Sequence, residues 1–393
     1  MSYDQPYAGL KIVDISQGFA GPYCAGIFAL YGAQVIKVEP PEGDWIRGIG
    51  VSYAGQTPLA MVANPHKRSI ALNLKTESAR DIIYKLVADA DIFLESFRPG
   101  VASRLNVGFD EIKNINRKII YGSISGFGQT GPYAKRPGSD TVLQSFSGLA
   151  YVNKGNDGIP HRVGMLVPDT VTGVYAHQAV AAALVGRRNE EEGIHLDLSL
   201  AQCMGAFLAP KSIERVLARG EPRILNAPAG SYETKDGSYI GLALVKEENY
   251  SKICDTMELL DIKDDPRFAN FDLRAKNFDI LKPVFVSRFL EKTIDEWVEI
   301  MREADILAER LNTTDDWLAD PHTQETGIVP EVEYAGIGAV PFPTVPGTTP
   351  RNAETAQLFP GIGEHGPEIL AELGIDEPTI NELVKEGALH LPE

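Results

Sequence analysis

The feature of this sequence that most restricts its fold is a repeated alternation of short apolar strands with helical segments. Strand-type runs occur at 10–16, 34–39, 68–74, 91–97 and 119–128, and the first is followed by a glycine-rich turn at 17–23 and a helical stretch. Strand, turn, helix and strand within about thirty residues form a βαβ unit. The pattern predicts an α/β fold with a parallel sheet, whose ligand-binding loops follow the C-terminal ends of the strands.

The order of the later segments divides the chain into domains. A helical stretch at 169–188 and a strand at 194–200 continue the α/β pattern, whereas a hairpin around 235–237 and acidic helical segments up to 320 break it. We therefore predict a large domain over 1–210, to which 345–393 returns, and a smaller α+β domain over 226–330. Residues 211–225 and 331–344 are predicted to be linkers.

The charge balance restricts the partners. The chain of 393 residues has 37 Lys and Arg against 54 Asp and Glu, a formal net charge of −17, which disfavours nucleic acid and anionic membranes. Cys24, Cys203 and Cys254 lack metal-ligand spacing, so we expect reduced thiols and no metal. The first ten residues do not resemble a signal peptide, and the apolar run 179–185 is far shorter than the ~20 residues of a membrane span. These features predict a cytoplasmic protein.

The turn at 18–23 and Glu39, which ends the next strand-type run, resemble parts of a dinucleotide-binding site. In such sites a glycine-rich turn approaches the pyrophosphate and an acidic residue binds a ribose. However, the required G-x-G-x-x-G pattern is missing, and two prolines follow Glu39 directly. A tight connection between strand and helix is the simpler interpretation.

Basic residues gather at predicted loops near the strands: Lys67 and Arg68, Lys75, Arg98, Arg104, and Lys135 with Arg136. Three of these groups follow the ends of successive strands, which meet at one edge of a parallel sheet. Cations at that edge favour a phosphorylated ligand. The alternative is that they are ordinary surface charges.

Asp169 lies at the start of the long helical stretch, directly after Pro168. Aspartate is a favoured N-cap residue, so a capping role is one interpretation. The same position favours an ionised carboxylate through the helix dipole, and an ionised carboxylate can attack an activated acyl group. The residues alone leave both roles open. His177, in the apolar part of this helix, is interpreted as a core residue.

Several motifs follow one another along nearly the whole chain: GLKIVDIS at 9–16, the run 20–47, NPHKRSIALNLK at 64–75, ADIFLESFRPG at 90–100, VPDTVTG at 167–173 and GEHGPEIL at 363–370. In this order they resemble the family III CoA-transferases, the formyl-CoA:oxalate and carnitine CoA-transferase group. The resemblance implies an interlocked homodimer. Each chain would have a Rossmann-like large domain built from both termini, together with a smaller α+β domain.

The resemblance also implies the site residues. Asp169 matches the family nucleophile. The positions that match the family's contacts to coenzyme A are Phe19, Ala20, Leu72, Asn73, Lys75, Ser96, Phe97, Arg98, Arg104, Arg136 and Ser139. The implied reaction moves CoA from an acyl-CoA donor to a small carboxylic acid through an aspartyl mixed anhydride and an aspartyl-CoA thioester, without a metal. Backbone N–H groups near Asp169 would stabilise each oxyanion, at ~3 kcal/mol per donor.

Two alternatives to CoA transfer stay open at this stage. The α-methylacyl-CoA racemases share the fold, but they need a histidine base in a G-H-D motif, and the matching residues here are Gly138, Ser139 and Asp140. Serine cannot act as that base, which disfavours racemisation. The second alternative is a non-catalytic acyl-CoA-binding protein in which Asp169 only caps its helix.

Overall fold

The computed structural model describes residues 5–154, 158–187, 192–219, 226–334, 336–342, 345–347 and 359–392. The chain divides into two compact units, one formed by Met1–Pro210 with Thr326–Glu393 and the other by Lys211–Glu325. The first unit thus contains both ends of the chain. In the described ranges, no helix is both long enough and apolar enough to cross a membrane.

The strands are β1 Lys11–Asp14, β2 Gln34–Glu39, β3 Arg68–Leu72, β4 Ile92–Glu95, β5 Ile120–Ser125, β6 Ile194–Ser199, β7 Gly230–Glu233, β8 Tyr239–Leu242, β9 Ala308–Arg310, β10 Glu331–Tyr334, β11 Gly338–Pro341 and β12 Leu389–His390. The helices are α1 Ala20–Leu30, α2 Pro58–Ala63, α3 Glu77–Val87, α4 Val101–Arg104, α5 Phe109–Ile115, α6 Asp140–Phe146, α7 Leu149–Val152, α8 Val167–Gly186, α9 Leu200–Phe207, α10 Ala209–Leu217, α11 Glu248–Thr256, α12 Leu260–Lys263, α13 Phe271–Lys276, α14 Phe278–Phe289, α15 Ile294–Glu303, α16 Thr314–Ala319, α17 Pro321–Thr326, α18 Gly366–Glu372 and α19 Glu377–Lys385. Short 3₁₀ helices span Trp45–Gly48 and Pro266–Phe268.

The first unit is built on a seven-stranded sheet with the order β12-β3-β2-β1-β4-β5-β6. All its strand pairs are parallel except β12 with β3. The predicted parallel α/β sheet is therefore confirmed. The chain runs outward from β1 to β3 on one side and from β4 to β6 on the other. The connections from β1 and from β4 consequently lead to opposite sides of the sheet, and open sheets of this type bind ligands at the C-terminal edge where the strand order reverses.

Helices cover both faces of this sheet, which explains why its strands are nearly continuous apolar runs. Successive residues of β1 point to opposite faces. Ile12 packs in a cluster with residues of α1 and α8, and Val13 packs in a second cluster with residues of α3, α5, α18 and α19. The C-terminal helices α18 and α19 therefore belong to the core of the first unit.

The segment 331–344, assigned to a linker from its sequence, contains the antiparallel pair β10 and β11. Val332 and Tyr334 are buried in one cluster with Leu30 and Met61. These strands are therefore packed on the first unit.

The second unit has its own sheet and core. The antiparallel sheet has the order β7-β8-β9, and helices α11 to α16 lie within the same unit. Its core includes fully buried Phe285, Phe289 and Trp297, and the indole N–H of Trp297 donates to the Phe289 carbonyl at 2.8 Å. Helix α10 begins at Ala209 and runs into the predicted linker 211–225, of which residues 220–225 lie outside the described ranges.

Candidate active site

A cavity of about 250 Å³ lies at the C-terminal edge of the large sheet. Residues of four neighbouring strands and of the loops after them line it: Ile15, Gln17, Val38, Glu39, Pro40, Pro41, Glu42, Leu72, Asn73, Leu74, Lys75, Phe97 and Leu105. Four of the predicted CoA contacts, Leu72, Asn73, Lys75 and Phe97, are among them. The lining is mostly apolar, with carboxylates and one lysine, which suits a flat ring bearing polar substituents.

Hydrogen bonds join the loops that follow β1 and β4 at this edge. The Gln17 N–H donates to Ser96 Oγ at 2.8 Å, and the Ser96 hydroxyl donates to the Gln17 carbonyl at 2.9 Å. Ser96 and Arg98 are both predicted contacts, one on each side of Phe97, and Arg98 is exposed. The structure therefore brings two of the predicted loops together at the point where the strand order reverses.

The other predicted contacts lie on neighbouring elements and are not part of the cavity lining. Phe19 directly precedes α1, Ala20 is the first residue of that helix, and both are buried. Arg104 ends α4, next to Leu105 of the lining. Arg136 lies on the loop after β5, with its guanidinium carbon 5.1 Å from the centre of the Tyr133 ring.

Ser139, the remaining predicted contact, directly precedes α6 at the end of the same loop. Gly138 allows this loop to pass close to the residues after β5. A Cβ atom built on Gly138 would be 2.9 Å from the Cα atom of Gly126, too close for any side chain.

Asp169 lies in the first turn of α8, and the N-cap of that helix is Leu166. The interpretation of Asp169 as the cap of this helix is therefore wrong: the helix begins at Val167, with Pro168 in its first turn, a favoured position for proline. Close packing brings this end of α8 against α1. A Cβ atom on Gly173, one turn further along, would lie 2.7 Å from the Tyr23 ring and 3.0 Å from the Ala20 carbonyl.

The carboxyl group of Asp169 is an unusually weak acid in this environment. Burial and, secondly, the negative charge of Asp140 raise its pKa from the ordinary 3.8 to about 7. The expectation that the helix dipole keeps this pKa low is therefore wrong. The Asp169 N–H donates to Asp140 Oδ2 at 3.3 Å, so the second acid is held beside the first.

Asp140 is positioned by Gln144, four residues along the same helix. The Gln144 amide donates to Asp140 Oδ1 at 2.7 Å and to the Met165 carbonyl at 3.1 Å. Its amide oxygen accepts from the Val163 N–H at 2.8 Å. Gln144 is fully buried, and it thereby connects α6 to the segment that leads into α8.

Beneath the turn at 16–19 lies a chain of buried ion pairs. Lys37 Nζ is 2.9 Å from Asp44 Oδ2, and the Asp44 carboxylate also accepts from the Gly18 N–H at 3.0 Å. Lys67 Nζ is 2.8 Å from Asp14 Oδ2, and this pair is fully buried at both side chains. Lys67 is thus occupied within the core, and the interpretation of Lys67 as a surface cation at the ligand edge is wrong.

Glu39, considered above as a ribose-binding residue, has partners on both carboxylate oxygens. The Arg47 guanidinium donates to Oε2 and Oε1, both at 2.7 Å, and the Ser69 hydroxyl donates to Oε1 at 2.8 Å. The bidentate pair with Arg47 keeps the Glu39 pKa low despite its burial. The carboxylate therefore supports the segment that carries the cavity wall at Pro40 and Pro41.

Sequence reasoning missed Lys37, Asp44 and the connection from Asp140 to Gln144. The sequence did contain a signal for Lys37, because this lysine lies inside the apolar run of β2. A buried strand accommodates a charged side chain only when that charge has a partner. The separation of Asp140 and Gln144 by four residues predicts a shared helix face. Neither pattern identifies the further partners, which are Asp44 for Lys37 and the backbone at 163–165 for Gln144. Both partners lie in irregular segments that the sequence pattern does not place.

His177, predicted to be a core residue, is half-buried among aromatic side chains. Its ring packs against Tyr7, Phe28 and Tyr31, and its Nε2 lies 3.2 Å from the Tyr7 hydroxyl. Burial lowers its pKa to about 4, so it is neutral at physiological pH. Among the described residues, no group of three or more His, Cys, Asp or Glu side chains is arranged to hold a metal ion.

The sequence profile of CoA-transferase family III matches residues 7–366. The chain is 31% identical to the human succinyl-CoA:glutarate CoA-transferase over 99% of this chain and 91% of that protein. It is 33% identical to the acetyl-CoA:oxalate CoA-transferase of Acetobacter aceti over 77% and 79% of the two chains. A solved CAIB/BAIF family protein from Brucella suis is 30% identical with a TM-score of 0.80, covering 94% of this chain and all of that one.

The profile match extends over most of the chain and includes the segments that form the cavity and the first turn of α8. The solved relative has the same fold over nearly the full length. The chain is therefore an enzyme that belongs to CoA-transferase family III.

Proposed function

We propose that this enzyme transfers CoA from an acyl-CoA to a carboxylic acid, with Asp169 as its nucleophile. The observation that carries the proposal is the environment of Asp169. It is a partly buried carboxylate whose pKa is about 7, located where α8 packs against the start of α1. A desolvated carboxylate of raised pKa is a better nucleophile than one in water, yet it is still substantially ionised at neutral pH.

The first half of the reaction releases the donor acid. An ionised oxygen of Asp169 attacks the thioester carbonyl, and the thiolate of CoA leaves, which forms a mixed anhydride between Asp169 and the donor acyl group. The thiolate then attacks the aspartyl carbonyl of this anhydride. The donor carboxylate leaves, and Asp169 is left as an aspartyl-CoA thioester. Each step replaces one acyl bond with another, so no net hydrolysis or redox change occurs.

The second half reverses these steps with the acceptor. A carboxylate oxygen of the acceptor attacks the aspartyl-CoA carbonyl and expels the thiolate, which gives a new mixed anhydride. The thiolate attacks the acceptor's acyl carbonyl, releasing the new acyl-CoA and the Asp169 carboxylate. The free thiolate must stay nearby throughout. We propose that the enzyme retains it by binding the nucleotide part of CoA in the cavity, through Leu72, Asn73, Lys75 and Phe97.

The predicted cations and turn residues extend this CoA site. Lys75 and Arg98 are exposed at the ends of β3 and β4, and Arg104 follows on α4, so all three can reach phosphate groups from the sheet edge. Phe19 and Ala20 lie between that edge and α8. We propose that the pantetheine arm follows this turn toward Asp169. Arg136 and Ser139 contribute from the loop after β5.

The experiment that tests the proposal is a transfer assay followed by mass spectrometry. Succinyl-CoA and glutarate form the first pair, since a relative with this named activity is 31% identical. We expect glutaryl-CoA from the wild-type enzyme. We expect none from Asp169→Asn, which should still bind CoA in calorimetry. Asp81→Asn, an exposed acid on α3, serves as the matched control and should retain full activity.

The same samples distinguish the alternatives. In D₂O, deuterium at the carbon next to the thioester would indicate proton transfer, whereas CoA transfer leaves that carbon unlabelled. Unchanged transfer activity in Asp169→Asn would indicate that this residue has no catalytic role.

We also propose that the enzyme is a homodimer. Val174 and Val185 on α8 and Phe207 on α9 are 47%, 62% and 47% exposed, and the two helices pack beside each other. A second copy of the chain would cover them. Light scattering should give twice the chain mass of 42.8 kDa, and a mass of one chain at micromolar concentration would contradict the dimer.

A further inference from the structure

Glu95 is the last residue of β4 and directly precedes the predicted CoA contacts at 96–98. It is only 3% exposed. One oxygen of its carboxylate, Oε2, accepts a hydrogen bond from the Phe97 N–H at 2.7 Å, a length typical of a charge-assisted bond. The carboxylate therefore fixes the backbone of the residue two positions further along the loop.

Phe97 is the residue through which this loop lines the cavity. Leu74 and Leu105 line it as well, and all three side chains pack against the same core cluster. Ser96, between Glu95 and Phe97, is bonded to the backbone of Gln17 in both directions. Ser96 thus attaches the loop to the neighbouring turn, while Glu95 sets the orientation of the Phe97 peptide group beside the cavity.

Two other buried carboxylates near this edge of the sheet are paired with a cation. Lys67 pairs with Asp14, and Arg47 pairs with Glu39. Within the described ranges, no cation is among the groups that act on the pKa of Glu95. Burying a carboxylate without a cation is costly, because no opposite charge replaces the hydration that the carboxylate loses.

The groups that face Glu95 from the next two strands are polar or acidic. Ser123 of β5 is its register partner, and Asp197 of β6 is the register partner of Ser123. The Ser123 hydroxyl oxygen also lies 2.9 Å from His195 Nε2. Burial raises the pKa of Glu95 to about 7, although the bonds from Ser123 and from the Phe97 N–H oppose the rise. The carboxylate is therefore mainly ionised at pH 8.

The charge of Glu95 is not explained by stability. A glutamine would fit the same space and could accept the same hydrogen bond without the cost of a buried charge. What the charge adds is a stronger bond to the Phe97 N–H, since charge-assisted hydrogen bonds are about twice as strong as neutral ones. A costly buried acid beside a ligand cavity is typical of functional sites.

We propose that Glu95 is a positioning residue for CoA binding, whose carboxylate holds the Phe97 backbone so that this residue stays in place at the wall of the cavity. The inference rests on the proposed function, since it assumes that the cavity binds the nucleotide part of CoA. Without the carboxylate, the loop would spend less time in the orientation that binds CoA, and the apparent affinity would fall accordingly. The chemical step at Asp169 would be unaffected.

The test measures CoA binding by calorimetry at pH 8, together with steady-state kinetics for succinyl-CoA and glutarate. The variants are Glu95→Gln, Glu95→Leu and Glu95→Asp, and Phe97→Ala tests the cavity itself. The control is Glu382→Gln, which makes the same chemical change at an exposed glutamate on α19 of the same unit. The free energy of unfolding of each variant is measured in urea.

For Glu95→Gln we expect the Kd for CoA to rise about 3- to 10-fold, and for Glu95→Leu about 10- to 100-fold, as the charge-assisted bond is weakened or lost. The KM for succinyl-CoA should rise in parallel, with kcat unchanged within about twofold. Glu95→Asp should stay closest to the wild type, because an aspartate readily accepts from the N–H two residues further along. The control should match the wild type.

Stability separates this role from a purely structural one. Glu95→Gln removes a buried charge that has no cation beside it, so its free energy of unfolding at pH 8 should be higher than that of the wild type. CoA affinity and stability should therefore change in opposite directions. A contact that only stabilises the fold would lower both.

Three results would overturn the inference. CoA binding that is weakened by Phe97→Ala but unchanged in Glu95→Gln and Glu95→Leu would refute it and leave the CoA site intact. A parallel loss of CoA affinity and stability in Glu95→Gln would indicate a general structural effect instead. Wild-type affinity in Phe97→Ala would refute both the inference and the assignment of the cavity to CoA.

Discussion

The interaction between Asp140 and Asp169 leads to a quantitative prediction about pH. Asp140 is 4% exposed, and its Oδ2 accepts from the Asp169 N–H at 3.3 Å. The pKa of Asp169 rises from 3.8 to about 7, and burial makes the larger contribution while Asp140 makes the smaller. The total rise is about 3 pH units, so Asp140 accounts for less than about 1.5 of them.

Asp140→Asn removes this charge with almost no change in size. The raised pKa means that the wild-type nucleophile is mostly protonated below about pH 7 and ionised above it. We therefore expect the acid limb of the wild-type kcat/KM profile near pH 7, and that of the variant about 1 pH unit lower. At pH 6 the ionised fraction should then rise from about one tenth to about one half, which predicts a roughly fivefold gain relative to the value at pH 8.5.

The assay is kcat/KM for succinyl-CoA between pH 5.5 and 8.5 at a fixed acceptor concentration. The phosphate of CoA also titrates near pH ~6, but this affects both enzymes equally. Asp81→Asn, which removes a surface charge, should keep the wild-type profile. An acid limb that is unchanged in Asp140→Asn, or that moves to higher pH, would refute the electrostatic link between the two acids.

Three further predictions concern buried groups near the site. Burial raises the pKa of Glu95 from 4.5 to about 7, so the folded state holds this proton more tightly than the unfolded state does. The free energy of unfolding therefore decreases as the pH rises from about 4.5 to 7. In urea unfolding, Glu95→Gln should increase the free energy of unfolding by roughly 1–3 kcal/mol at pH 8 and by much less at pH 5. Lys67→Met leaves Asp14 charged and unpaired in the core, and we expect a loss of about 3–5 kcal/mol at pH 7, whereas a loss below about 1 kcal/mol would contradict the pairing. Gly173→Ala places a methyl group 2.7 Å from the Tyr23 ring and should lower the free energy of unfolding by about 1–3 kcal/mol; an unchanged melting temperature would contradict the close approach of α1 and α8.

The strand pattern was sufficient to predict the central sheet, because each run is apolar on both faces and is bounded by turn residues. The strand pattern also predicted that four contact residues meet at one cavity, because parallel strands end at the same edge of the sheet. These residues are Leu72, Asn73, Lys75 and Phe97. The order of strands within the sheet was not predictable in this way. It depends on which helices cover which face, and that information lies in contacts between distant residues.

The electrostatics of the site were predicted less well. The start of α8 at Val167 depends on Pro168 in the first turn, so Asp169 lies inside the helix and not at its cap. Its pKa depends on burial and on the charge of Asp140, which is 29 residues away in the sequence. Likewise, the sequence indicates a surface cation at Lys67, and only the folded chain shows Asp14 of β1 beside it. Charges at such positions take their properties from partners that local patterns do not specify.

The most direct test of the central claim is to trap the covalent intermediate on Asp169. The enzyme is incubated with succinyl-CoA, quenched with hydroxylamine and digested, and the peptide that contains Asp169 is examined by mass spectrometry. Hydroxylamine converts an aspartyl anhydride or thioester into a hydroxamate. We predict a hydroxamate at Asp169 in the wild-type enzyme and none in Asp169→Asn. An unmodified Asp169 in an enzyme that is turning over succinyl-CoA and glutarate would contradict the account.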